Sequence, residues 1–73
     1  MNRYERRPPT PGEAQLQYLD GDLRVIRPGA FVRCAVTGEP IALDDLRYWS
    51  VDRQEAYSSR DAVMTRLRAL GLA

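Results

Sequence analysis

The chain has no histidine and no lysine, and a single cysteine, tryptophan and phenylalanine among 73 residues. Each shortage removes a class of chemistry. Without histidine no side chain titrates near neutrality unaided, so a general base would have to be a carboxylate, a tyrosine or the thiol. One cysteine excludes an intrachain disulfide. One thiolate without an imidazole falls short of the roughly four ligands of structural zinc, so no metal and no cofactor are expected. No stretch approaches the ~20 apolar residues of a membrane span. The opening Met1-Asn2-Arg3-Tyr4-Glu5-Arg6-Arg7 has no apolar segment behind it, so no secretory signal is read and a cytoplasmic protein with reduced Cys34 is expected. The net charge of +1 supplies no field that would gather nucleic acid or anionic lipid. All eleven cations are Arg. Codon bias in a GC-rich genome explains this as readily as phosphate recognition does, and it is the preferred reading.

What is present suits one small domain with a modest core. Residues 1–12 hold Arg3, Arg6 and Arg7, then Pro8-Pro9-Thr10-Pro11-Gly12, a flexible Pro/Arg-rich arm unfit for a helix or a ladder. Residues 13–73 form the domain. Ala14, Leu16 and Tyr18 alternate with Gln15 and Gln17, the period of a half-buried strand. Asp20-Gly21 then predicts a hairpin into Leu23-Arg24-Val25-Ile26. Pro28-Gly29 predicts a second turn, with Gly in the left-handed position. Ala30 to Val36 follows as a third strand, completing a three-stranded meander. Ile41, Leu43 and Leu46 anchor a connection in which Asp44-Asp45 make one short helical turn in water. Arg47 to Val51 reads as a strand and Asp52-Arg53 turns it back into Gln54–Tyr57, a second hairpin, although strand or helix stays open for the last segment. Ser58 with Asp61 resembles a capping box. Val63, Leu67 and Leu70 form the helix stripe with Met64 at its flank, and Gly71 stops the helix. The expected core is Leu16, Val25, Phe31, Val32, Ile41, Leu46, Trp49, Val51, Val63 and Leu67, with Trp49 mostly buried.

Cys34-Ala35-Val36-Thr37-Gly38 has the shape of the C-x-x-C-G turn of a zinc ribbon, with Thr37 in place of the second thiolate. It is a fold signal without a metal. The string from Phe31 to Tyr57, with CAVTG, I-x-L-x-x-LRYW and VDRQEAY in order, resembles the bacterial family catalogued as domain of unknown function 2093. With the earlier LQYLDGDLRVIRPGAFV the resemblance runs from about Gln15 to Tyr57, leaving the arm and the helix outside. It implies no activity. More distantly, the C-x-x-T-G turn between hairpins is similar to a zinc ribbon that has lost its metal. The expected class is α+β: small antiparallel hairpin units, zinc-ribbon-like without metal, with one C-terminal helix.

Chemistry is thin. Asp44-Asp45 is best read as a solvated turn, Cys34 as a small buried hydrophobe, and the scattered glycines make no phosphate loop. The protein is therefore read as no enzyme, with no small-molecule ligand. Arg, Trp and Tyr, the residue types enriched at interface hot spots, concentrate in the second hairpin. The candidate surface is Arg33, Arg47, Tyr48, Arg53, Glu55 and Tyr57. The expected role is a protein-interaction or structural module, either a homodimer or one bound to another protein. The alternative is single-stranded nucleic-acid binding through the Arg and aromatic residues of the Arg47–Tyr57 hairpin. Surface cross-strand pairing accounts for the same charges.

Overall fold

The computed structural model describes residues 12–72. The expected arm lies outside the described residues except for Gly12, whose carbonyl accepts from the Ala30 N–H at 2.9 Å. Six strands pair in chain order as three antiparallel hairpins: β1 (Gln15–Leu19) with β2 (Asp22–Arg27), β3 (Phe31–Arg33) with β4 (Pro40–Ala42), and β5 (Tyr48–Ser50) with β6 (Glu55–Tyr57). One helix, α1 (Arg60–Ala69), closes the chain, and Leu43–Asp45 form a 3-10 turn with both aspartates exposed. The class is α+β, as the periodicities required.

The first hairpin follows its turn residues. Leu19 pairs with Asp22, leaving Asp20-Gly21 as the loop, and Gly21 takes φ +68°. Leu16 faces Val25 while Gln15 faces Arg27, so Ile26 is the extra residue of a bulge that bends β2. The expected meander does not form. Pro28-Gly29 carries the chain onward without reversing it, and Gly29 is not among the residues with positive φ. Its requirement is space. A Cβ there would sit on the Ala14 nitrogen and 2.6 Å from the Ala14 Cα. The chain thus crosses closely beneath the start of β1, and β3 meets it through a single parallel bridge, Glu13 to Phe31.

The expected strand from Ala30 to Val36 shortens to Phe31–Arg33 because the backbone turns at Cys34, where the Gly38 N–H donates to the Cys34 carbonyl at 3.0 Å. Gly38 takes φ +77°, and the chain returns as β4 with Val32 opposite Ile41. Gln54–Tyr57 resolves as strand over Glu55–Tyr57, with Tyr48 opposite Tyr57 and Trp49 opposite Ala56. Gln54 turns the hairpin at φ +53°, a strained region for a residue with a Cβ. Its carboxamide accepts from the Tyr18 N–H at 2.9 Å and donates to the Tyr18 carbonyl at 2.8 Å and the Val51 carbonyl at 2.7 Å. On the outer edge of β1 this amide takes the place of a neighbouring strand, joining the first hairpin to the third. Gln54→Ala keeps the strain and removes all these bonds, and is expected to destabilise by about 2 kcal/mol in urea unfolding. Gln54→Gly, which relieves the strain, is expected to lose less.

Two-stranded units are marginal alone, so the core between them decides stability. It comprises Ala14, Tyr18, Val32, Cys34, Ile41, Leu46, Ala56, Tyr57 and Ala62. Of the expected core, Val32, Ile41 and Leu46 are buried, while Leu16, Phe31, Trp49, Val63 and Leu67 are half-buried. Two expectations fail. Val25 is 56% exposed and Val51 36% exposed. β2 has no neighbour beyond β1, and Val51 lies past the end of β5, so neither has a layer to cover it. Alanines take those places at the centre, where backbones approach closely.

In α1 the cap is Ser59, one residue later than expected: its Oγ accepts from the Ala62 N–H at 3.1 Å. The helix ends as Gly71 predicts, at φ +73°, with Gly71 N–H donating to Arg68 and Leu72 N–H to Leu67. Ala62 is its buried residue, and Leu70, expected on the buried stripe, is 46% exposed because the last helical turn runs past the sheets.

Candidate interaction surface

The six candidate residues fall into two groups. Arg53, Glu55 and Tyr57 converge on one point of the third hairpin. The Tyr57 hydroxyl donates to Glu55 Oε1 at 2.8 Å, and Arg53 Nε donates to that hydroxyl at 3.4 Å. A residue missed from sequence completes the cluster. Arg66 of α1 places Nε 3.2 Å from the same Oε1, in charge contact without hydrogen-bond geometry, and donates through Nη2 to the Ala35 carbonyl at 3.0 Å. Tyr57 is buried. The cluster pins α1 to the sheets, and the hydrogen bond that Arg53 donates to the Tyr57 hydroxyl raises its guanidinium above the ordinary pKa. Arg33 stands over the Phe31 ring at 5.1 Å, pairs with Glu13 at 3.8 Å and donates to the Gly38 carbonyl. It shares with Glu55 the rim of a groove of about 710 Å³ between β1 and β3.

Arg47 and Tyr48 lie apart from these, on a second groove of about 330 Å³. Its wall is built from Trp49, Val51 and Val63, with Asp20 of the first hairpin on its rim. Trp49 is half-buried, where a mostly buried ring was expected: its indole N–H donates to the Leu19 carbonyl at 2.9 Å and its ring lies 6.4 Å from that of Tyr18. The bond fixes the edge of the indole against β1 and leaves part of its surface to solvent. Arg47 Nη1 donates to the Asp44 carbonyl at 2.9 Å, which holds the guanidinium at the rim. Tyr48 is 38% exposed. Asp20 and Val63 were not recognised as neighbours of Arg47, because only the packing of two hairpins and a helix brings them together.

The thiol of Cys34 is the most perturbed group. The turn places the Val36 and Thr37 N–H groups each 3.4 Å from Sγ. Burial pushes the thiol up. Hydrogen bonds from the hydroxyls and backbone N–H groups of Ser58 and Thr37 outweigh it and bring the pKa from 9.0 down to about 6. The thiol is 3% exposed and is held by hydrogen bonds that favour its ionised form, which makes it more than the plain hydrophobe expected. The contact with Ser58 had no signal in the sequence beyond the failed capping register.

Among the described residues, no three of His, Cys, Asp and Glu gather where they could hold a metal ion. No helix among them is long and apolar enough to cross a membrane. The molecule is thus a small α+β module of hairpins locked by one helix, with no metal-ligand cluster in the described part. The chain belongs to the family described as uncharacterized protein conserved in bacteria (DUF2093), whose model matches residues 25–66. The match begins later than the resemblance in sequence implied, within β2, and extends into α1 as far as Arg66. No curated protein and no solved structure matches the chain.

Proposed function

We propose that this protein is a non-enzymatic, cytoplasmic protein-binding module that docks its partner on the groove formed by Arg47, Tyr48, Trp49 and Val51. The observation that carries the reading is the distribution of large side chains. Tyr48 and Val51 are exposed and Trp49 half-exposed beside an arginine, while three of the nine core positions are alanine. Apolar area placed outside a core this thin fits a surface completed by another chain. By this reading the Cys34 turn is a lock on the fold and the Arg53–Glu55–Tyr57–Arg66 cluster a brace for the helix, neither of them chemically active.

The groove also offers an argument against its rival. A single-strand binder sets aromatic rings in a basic surplus, whereas the rim here carries one cation, Arg47, and one anion, Asp20. The test is a photoreactive phenylalanine analogue placed at position 48, and in a second protein at exposed Arg24 of β2, which does not line the groove, each irradiated in bacterial cells. Covalent adducts to protein at 48 and none at 24 are expected. Adducts to RNA or DNA at 48, or equal labelling at both positions, would overturn the reading.

A further inference from the structure

We propose that the occupant of the Arg47–Tyr48–Trp49–Val51 groove is a second copy of this chain, related by a two-fold axis. The inference rests on the protein-binding reading above and names its partner. Its basis is that the groove is complementary to itself. A two-fold contact brings the same patch of each copy together, so every residue must find its partner within that patch. Apolar groups meet this condition trivially, and charges meet it only in opposite pairs. The groove holds one such pair, Asp20 on the tip of the first hairpin and Arg47 ahead of β5. Among the described residues neither belongs to an ion pair, although Arg33, Arg53 and Arg66 each do. Arg47 spends its Nη1 on the Asp44 and Leu46 carbonyls, which orients the guanidinium and leaves its charge unopposed. Face-to-face docking sets Arg47 of each copy against Asp20 of the other and satisfies both charges twice.

The apolar part of the patch extends in the same direction. Val63 in the groove wall and Leu70 lie two turns apart on one stripe of α1. Leu70 is 46% exposed and Met64, beside Val63, is 43% exposed. Exposed apolar groups framed by a balanced charge pair distinguish a self-docking face from a surface for a polyanion, which would need the positive charge in excess.

The experiment is a charge swap read by sedimentation equilibrium over a dilution series. Wild type is expected to dimerise. Asp20→Arg and Arg47→Asp each face like charge with like, and each is expected to raise the dissociation constant at least about tenfold, since each two-fold dimer loses two pairs at once. An equimolar mixture of the two variants restores both pairs in the heterodimer, and binding within about threefold of wild type is expected. Circular dichroism confirms that each variant is folded. Should Asp20→Arg disturb its hairpin turn, Asp20→Asn keeps the turn preference and removes the charge, and weakened dimerisation is expected from it as well. A wild-type monomer at every concentration, or a mixture no tighter than the single variants, would overturn the inference. A foreign protein cross-linked at position 48 by a monomeric chain would leave the protein-binding reading standing. Nucleic acid cross-linked there would end both.

Discussion

Gly29→Ala is expected to destabilise the fold by on the order of 3 kcal/mol, measured by urea unfolding against wild type. The new methyl carbon would overlap the Ala14 nitrogen and lie 2.6 Å from the Glu13 carbonyl carbon and the Ala14 Cα. These are backbone atoms, held by the Ala14 N–H bond to the Phe31 carbonyl and the Ala30 N–H bond to Gly12. No side chain can swing aside. Relief requires the β1–β2 hairpin to lift from β3, which opens the core at Ala14. Overpacking that forces backbone shifts costs ~1–3 kcal/mol, occasionally more, and the rigid neighbours put this site at the upper end. Gly38→Ala is the control. Nothing lies within 4 Å of a Cβ there, and only its φ of +77° opposes a side chain. A loss of about 1 kcal/mol is expected from conformation alone. Equal losses at the two glycines would show that the crossing under Ala14 is not as close as described.

Between pH 9 and pH 6 the wild-type protein is expected to lose stability, and Cys34→Ser to lose much less. The folded thiol ionises at about 6, below the unfolded value near 9.0. The hydrogen bonds to the thiolate therefore stabilise the fold fully above pH 9 and are lost as the pH falls through about 6. A difference of this size corresponds to on the order of 3–4 kcal/mol across the window. Tyr18, raised above 10.0 by burial and by Glu13, stays neutral throughout and does not confuse the measurement. Serine leaves an acceptor in the turn without a titrating charge. Thiolate absorbance against pH locates the ionisation, and urea unfolding of both proteins at pH 6 and pH 9 gives the energetic consequence. A wild-type thiol that ionises above pH 8, with stability flat over the window, would contradict the bonding described at Cys34.

Much of the local structure was legible because it depends on a few residues in sequence. Asp20-Gly21 specifies its hairpin through one positive φ, and Gly71 ends the helix through another. The CAVTG turn carries its N–H bonds to sulfur because the geometry is closed within four residues. The Ser58–Asp61 box failed by one residue: Ser59 takes the cap, its hydroxyl accepting from the Ala62 N–H.

The candidate site divides along the same line. Arg47 and Tyr48 were singled out by residue type, and Arg53, Glu55 and Tyr57 by their place in one hairpin. That Tyr57 is buried, and that Arg66 closes its cluster from the helix, depend on contacts across the chain. Asp20, opposite Arg47 on the groove, is likewise brought there by packing.

Sequence alone determined the α+β class, the hairpins at Asp20-Gly21 and Asp52-Arg53, the helix end and the shortage of metal ligands. All of these follow from residue types and periodicity acting over one turn. Only the tertiary structure decided that β3 pairs forward with β4, that alanines and tyrosines join the core while Val25 and Val51 stay outside, and that the Cys34 thiol is lowered in pKa by its surroundings. Those outcomes depend on which backbones cross, and how closely. In a chain with so little apolar bulk, one glycine crossing and one glutamine amide are enough to settle that arrangement.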